Sequence, residues 1–192
     1  MSKLGIFGGT FDPIHLGHLI TAQSVLELRK LEKILFIPSF ISPHKTDQVI
    51  TEGKHRLKMI ELAIEGNKYF EVSDFEIRKK NISYTVDTLY ELSGKNKKIE
   101  LIIGIDNLLK FGTWKEPDKI LKLAKLVVLK RRIGEEKIRK NKYYKTADFV
   151  ETPLIEISSS EIRERVKNNL SVDFLVPSKV NQYIQKHNLY RD

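Results

Sequence analysis

The chain has no cysteine, which removes a disulfide framework, a thiolate metal site and a cysteine nucleophile together. No apolar run approaches the roughly 20 residues that a membrane-spanning helix needs. The opening residues MSKLGIFGG have neither the apolar stretch nor the small-residue cleavage site of a secretory leader, so a cytoplasmic protein is expected. G-x-G-x-x-G and G-x-x-x-x-G-K-[ST] are both missing, which speaks against a standard dinucleotide site and against a P-loop. H-E-x-x-H is missing too, and no internal repeat, low-complexity linker or composition break marks a second domain.

What remains is an ordinary globular composition. The 192 residues suffice for a single well-cored domain over 1–192, with a helical part over 158–192. Hydrophobic residues make up 41% and charged residues 31%, values of a folded globular chain rather than a disordered one. Lysine and arginine outnumber the acids by 34 to 25, a net charge of +9. That excess favours a polyanionic partner, either nucleic acid or a phosphate-rich small substrate. Much of it lies in stretches such as SGKNKKIE and EEKIRKNKYYK, whose plain reading is a solvated surface.

Six apolar, β-branched runs recur, at 4–8, 33–38, 69–77, 99–104, 125–130 and 147–152. Between the first five lie stretches with helical spacing: Leu19, Ala22 and Leu26; Leu57, Ile60 and Ile64; Val86, Leu89 and Leu92; Ile120, Leu121 and Ala124. This alternation predicts an α/β fold with a doubly wound, mostly parallel sheet and helices on both faces. The tail from Ser158 is helical in pattern, with Pro177 beginning the last helix and Ser178 helping to cap it. Ligands of such sheets bind at the carboxyl ends of the strands, so the loops there are where function is expected. The longest irregular stretch, from Ser39 to Lys54, is one of them.

The stretch GIFGGTFDPIHLGHL joins the first strand to the first helix. Gly8 and Gly9 let backbone approach a ligand, and the helix start offers unpaired N–H groups to an anion. His15 and His18, three apart, share one face of the first turn. A zinc site would need a further ligand nearby, and a capping or core role is the other plain alternative. Two imidazole donors aimed at phosphate are the favoured reading.

Four further blocks carry candidate groups. ISSSEIRERVK places Ser158 and Glu161 at capping-box spacing, and Ser159, Ser160 and Arg163 add hydroxyls and a guanidinium at the same helix start. IIGIDNLLKFGTW puts Gly104 at the end of a buried strand and Asp106 just beyond it, in position to cap a helix from Asn107 to Lys110. Trp114, the one tryptophan, follows in a loop, where it serves as a core anchor or stacks on a ligand ring. ISYTVDTL reads as a helix start with Thr85 as cap and Asp87 in the first turn. SPHK sets His44 and Lys45 in the long loop.

GGTFDPIHLGH resembles the T/H-x-G-H nucleotidyltransferase superfamily, and its full form is most similar to the bacterial nicotinate-nucleotide adenylyltransferases. The likeness runs along the chain: PSFISPHK, SYTVDTLYEL, LIIGIDNLLKFGTWKE, VVLKRR, ISSSEIRERV and VNQYIQKHNLY stand in the family's order. It implies a Rossmann-like nucleotidyltransferase fold and transfer of the adenylyl group of ATP to nicotinate mononucleotide, with release of pyrophosphate. It implies that Gly8, Gly9, Thr10, Phe11, His15, His18, Gly104, Asp106, Ser158, Ser159, Ser160 and Arg163 meet ATP, so that 158–192 completes the ATP site. Lys45, Tyr84, Thr85 and Trp114 would meet nicotinate mononucleotide, with Thr85 and its neighbours receiving the nicotinate carboxylate. His18, His15 and Lys45 are the implied catalytic groups.

In VVLKRR one of Arg131 and Arg132 would face the nucleotide, and the sequence does not separate them. Mg²⁺ is the implied cofactor, carried by the ATP phosphates and water with no protein side chain as ligand. The nucleophile is a phosphate that is already anionic, so no general base is needed, and catalysis is positioning plus electrostatic stabilisation. The lack of a Ser-His-Asp set or an acid–base pair is then expected. Ile105 departs from the alanine common in that family. The rivals are sister enzymes acting on nicotinamide mononucleotide or phosphopantetheine and, more distantly, a basic nucleic-acid-binding module without ATP turnover. Neither nucleic acid nor membrane is an expected partner, and monomer and homo-oligomer both stay open.

Overall fold

In the computed structural model, residues 2–41, 50–93, 98–130 and 138–191 are described. His44, Lys45, Arg131 and Arg132 lie outside the described residues. Among the described residues six strands form, β1 (Lys3–Gly9), β2 (Lys33–Pro38), β3 (Phe70–Val72), β4 (Lys98–Gly104), β5 (Lys125–Leu129) and β6 (Ala147–Val150). They make one sheet in the order β3-β2-β1-β4-β5-β6, with every pairing parallel. The α-helices among the described residues are α1 (Leu16–Arg29), α2 (Gly53–Ile64), α3 (Phe75–Lys79), α4 (Thr85–Ser93), α5 (Ile105–Lys110), α6 (Pro117–Leu123), α7 (Ser159–Lys167) and α8 (Ser178–Lys186). The doubly wound Rossmann-like arrangement is therefore the one the alternating pattern predicts.

The period of two in the strands sorts the core into two layers. Ile34 and Phe36 of β2, with Phe7 and Val127, pack under α1, α2, α7 and α8 through Val25, Met59, Ile162 and Ile184. Leu35 and Ile37, with Ile6 and Val128, face Val86, Leu89, Leu108 and Ile120 of α4, α5 and α6. Because both faces are covered, the strands read as continuous apolar runs rather than alternating ones. Each large aliphatic side chain withdrawn from water contributes about 1.5–3 kcal/mol, so these layers hold the helices to the sheet.

The third apolar run does not form one strand. β3 keeps three residues, and Phe75–Lys79 turns into α3. The Ser73 hydroxyl accepts from the Phe75 N–H at 3.3 Å, and Asp74 precedes the helix with its carbonyl accepting from Arg78 N–H at 2.8 Å, local hydrogen bonding that ends an edge strand. Two helix starts also move. α5 begins at Ile105 with Gly104 in extended conformation at the cap position, so Asp106 lies in the first turn instead of capping. Thr85 is the first residue of α4 rather than its cap, since the Tyr84 carbonyl already accepts from Asp87 and Thr88 N–H groups at 3.0 and 3.3 Å. Likewise Pro177 sits at the cap position and Ser178 opens α8.

Where the strands begin, an ionic cluster closes the far end of the sheet. Arg29 grips Glu100 with Nε–Oε2 at 2.7 Å and Nη2–Oε1 at 3.1 Å, and its Nη2 also reaches Asp148 at 2.8 Å. The hydrogen bonds to Glu100 raise the Arg29 pKa above its ordinary value.

Candidate active site

The strand order reverses direction between β1 and β4, and above their carboxyl ends the connections depart to opposite sides, leaving a crevice. A cleft of about 920 Å³ occupies that place. Its floor is glycine: where Gly8 and Gly104 would carry a Cβ there is no atom within 4 Å, so a ligand can lie directly on the strand ends. Thr10, His15 and His18 line it from the loop after β1 and the start of α1, Ser158, Ser159, Ser160 and Arg163 from the start of α7, and Asp106 is exposed beside Gly104. Phe11, expected at the nucleotide, lies below instead. Its side chain is 3% exposed and packs edge-on against Phe7, Phe36 and His18, because a core position accommodates this apolar ring better than a phosphate-facing one.

The two histidines organise each other at the start of α1. His15 holds the cap position in extended conformation, and its N–H donates to His18 Nδ1 at 3.3 Å. Their rings stack with centroids 3.7 Å apart. Gly17 permits this, since a Cβ there would stand 3.0 Å from His15 Nδ1. With Nδ1 accepting, the proton of a neutral His18 ring belongs on Nε2, which makes that atom the donor.

The start of α7 is stitched to the loop after β1. Ser158 caps the helix by accepting from Glu161 N–H at 3.1 Å. Ser159 Oγ donates to the Pro13 carbonyl at 2.9 Å, and Arg163 Nη1 donates to the Asp12 carbonyl at 2.7 Å while Nη2 reaches Ser160 Oγ at 3.2 Å. Two helix N-termini, both attractive to anions, thereby converge on one cleft.

The other end of the cleft is aromatic and acidic. Trp114 packs against Phe111 with centroids 5.2 Å apart, and its buried indole N–H has no hydrogen-bond partner among the described residues. Tyr84 carries Lys115 over its ring, and Lys115 also pairs with Asp87 at 3.2 Å. Thr85 lines this end at the start of α4. Glu76 lines it as well, accepting from Thr88 Oγ1 at 2.6 Å, and burial pushes its carboxyl above the usual range.

Among the described residues, every sequence-derived site residue except Phe11 faces this one cleft. The reading of the sequence missed Arg56. It is 1% exposed, and its guanidinium donates to the carbonyls of Thr51, Thr10, Ser39 and Phe40 at 2.7 to 3.2 Å. Burial lowers its pKa, while Asp12 and Tyr190 act in the opposite direction. Its signal was present, because Arg56 stands three and four residues before Met59 and Ile60, on the apolar stripe of α2. Asp12 and Tyr190 were missed as partners, and no local pattern links them. Among the described residues no three His, Asp or Glu side chains gather as a metal site.

A parallel sheet whose glycine-floored switch point lies beneath two helix N-termini suits a nucleotide, and the cytidylyltransferase-like family model, which matches residues 6–165, makes the class that of the nucleotidyltransferases. Proteins carrying the name "Probable nicotinate-nucleotide adenylyltransferase" align over almost the whole chain. That of Caldicellulosiruptor bescii is 40% identical over 98% of this chain and 99% of its own length. That of Clostridium novyi is 42% identical with all of both chains covered. The chain belongs to this family, the nicotinate-nucleotide adenylyltransferases. In fold it is similar to Plasmodium falciparum nicotinic acid mononucleotide adenylyltransferase complexed with NaAD, with a TM-score of 0.81 at 22% identity over 99% and 98% of the two chains.

Proposed function

We propose that the chain transfers the adenylyl group of ATP to nicotinate mononucleotide, forming nicotinate adenine dinucleotide and pyrophosphate in NAD biosynthesis. The observation that carries this reading is the convergence of the α1 and α7 starts on one cleft whose far end holds Tyr84, Thr85 and Trp114. The names of the full-length relatives support the acceptor.

A phosphate oxygen of the mononucleotide attacks the α-phosphorus of ATP, the bond from that phosphorus to the bridging oxygen breaks, and pyrophosphate departs with the electron pair. No proton is removed from the nucleophile, so the protein supplies donors rather than a base. His18 Nε2–H meets the α-phosphate, where charge grows in the transition state. Ser159, Ser160 and Arg163 receive the departing pyrophosphate, which makes 158–192 part of the ATP site within a one-domain enzyme. Trp114 stacks on the pyridine ring, and the N–H groups at the start of α4 receive the nicotinate carboxylate. Magnesium, when bound, offsets phosphate charge. The imidazole, hydroxyl and guanidinium groups around the phosphate side suit an ion that arrives on ATP with its water rather than one caged by carboxylates. A cytoplasmic setting, where ATP and the acceptor meet, belongs to the same reading.

The test is pyrophosphate release from Mg-ATP with nicotinate mononucleotide, nicotinamide mononucleotide and phosphopantetheine in parallel. Release is expected with the first and much less with the others. Silence with the first, or a preference for another acceptor, overturns the substrate assignment.

A further inference from the structure

The block VNQYIQKHNLY contributes no named side chain to the chemistry above, yet its last residue reaches Asp12, which lines the cleft. The Tyr190 hydroxyl donates to Asp12 Oδ1 at 2.7 Å. Asp12 is 3% exposed, and its other oxygen accepts from Thr51 N–H at 3.1 Å. A carboxylate withdrawn from water is held in place by its donors, and losing one leaves an unsatisfied group that must turn or admit water. Burial and the neighbouring Asp12 charge push the Tyr190 phenol far above its ordinary range, so it stays a donor at any working pH.

Asp12 is also the residue at which the start of α7 is joined to the loop after β1. Its carbonyl accepts Arg163 and the adjoining Pro13 carbonyl accepts Ser159. A rotation of the Asp12 side chain that disturbs its backbone therefore shifts the Arg163 guanidinium and, through the Ser159 hydroxyl that Pro13 holds, the start of α7. The tail is anchored independently of this contact. Val180 and Ile184 are buried, and Tyr183 OH lies 2.9 Å from His55 Nδ1, a pair that does not line the cleft.

We propose that Tyr190 is a positioning residue for ATP, acting through the Asp12 carboxylate on the seam that holds Ser159 and Arg163. The inference rests on the reading above that this half of the cleft takes the ATP polyphosphate. It makes the end of the chain part of the phosphate site, although Tyr190 touches no reacting atom.

The experiment compares the wild type, Tyr190→Phe and Tyr183→Phe, using equilibrium binding of a non-hydrolysable α,β-methylene ATP analogue, steady-state kinetics and thermal melting. Tyr190→Phe is expected to weaken analogue binding and raise the KM for ATP together, by roughly five- to tenfold, the loss of one hydrogen bond in a charged network. The KM for nicotinate mononucleotide should stay within about twofold of wild type. Tyr183→Phe removes a hydroxyl from the same tail and should lower the melting temperature without moving either constant. Asp12→Asn, a second variant, should weaken the analogue in the same direction as Tyr190→Phe. Unchanged analogue binding by Tyr190→Phe, or an equal loss in Tyr183→Phe, overturns the inference alone. Failure of the wild type to bind the analogue overturns the proposed reaction and this inference with it.

Discussion

The rings of His15 and His18 stack with centroids 3.7 Å apart, while the His15 N–H donates to His18 Nδ1 at 3.3 Å. One backbone hydrogen bond thus selects the tautomer with the proton on Nε2 in a ring that lines the cleft. His18→Ala removes that donor and leaves the glycine floor and the α7 wall intact. It is expected to lower kcat by about 10²–10³-fold, the usual cost of deleting a transition-state donor, with the KM for ATP changed only a few-fold. A rise in KM at full kcat would show that His18 acts in binding alone.

Gly17 sets helix propensity against packing. Glycine to alanine inside a helix ordinarily stabilises by about 0.5–1 kcal/mol. Here the added Cβ would stand 3.0 Å from His15 Nδ1 and 3.3 Å from Ile155 Cγ2, and the His15 ring is buried. Gly17→Ala should therefore fail to raise the melting temperature and should reduce kcat by roughly tenfold as the stacked pair shifts. A more stable, fully active variant would show that the rings adjust freely.

Trp114 is the one tryptophan, so its emission reports the end of the cleft that it lines without labelling. Nicotinate mononucleotide should quench it in a saturable way, and ATP alone should not. Trp114→Ala is expected to raise the acceptor KM about tenfold and leave the ATP KM near its original value, the scale of a lost aromatic stack. An effect confined to ATP would place the pyridine ring elsewhere.

Glu76 gives a pH dependence with a definite sign. Burial is the leading cause of its raised pKa, against hydrogen bonds from Thr88 and Ser83 and the charge of Lys79, while Asp87 adds to the rise. The folded state therefore holds this proton more tightly than the unfolded chain, whose carboxyl titrates near 4.5. That contribution is present at pH below the unfolded value and is lost as pH rises through the raised folded value. Glu76→Gln cannot titrate, so its melting temperature relative to wild type should climb as pH rises above about 4.5. A constant difference would show that the carboxyl is not displaced.

Arg29 and Glu100 stabilise the end of the sheet remote from the cleft. The Glu100 side chain is 5% exposed and has Lys3 at 3.4 Å as its other cation, so Arg29→Ala leaves a buried carboxylate with that one partner and should cost somewhat less than the roughly 3–5 kcal/mol of a fully broken buried pair in denaturant unfolding. The KM values should not move. Replacing both partners, Arg29→Met with Glu100→Leu, should recover most of the loss, because no buried charge is then left unpaired. A double variant as unstable as the single one would contradict this account.

How much of this was legible in the sequence differs from element to element. β2 is written plainly in KILFIP, because a strand buried on both faces is apolar at every interior position. The cleft residues around Gly8, His18, Ser159 and Arg163 were legible because helix starts and glycine turns are encoded within a few residues. The run 69–77 misled, since FEVSDFEI has strand-like composition throughout and only the Ser73 and Asp74 hydrogen bonds reveal where β3 stops. The Phe11 side chain is a separate case. It stands inside the ligand loop by sequence, while its ring turns into the core.

The chain by itself determined the order of strands and helices, the period-two core and the two anion-seeking helix starts, all consequences of burial patterns and capping that act over a few residues. Tertiary structure decided what those parts meet. It set β1 beside β4 so that Gly8 and Gly104 share one floor, folded Arg56 under four loop carbonyls, and brought Tyr190 to Asp12. Contacts of that kind depend on which elements become neighbours once the hydrophobic layers close, and a hydrogen bond between distant residues leaves no periodicity in the sequence for a reader to find.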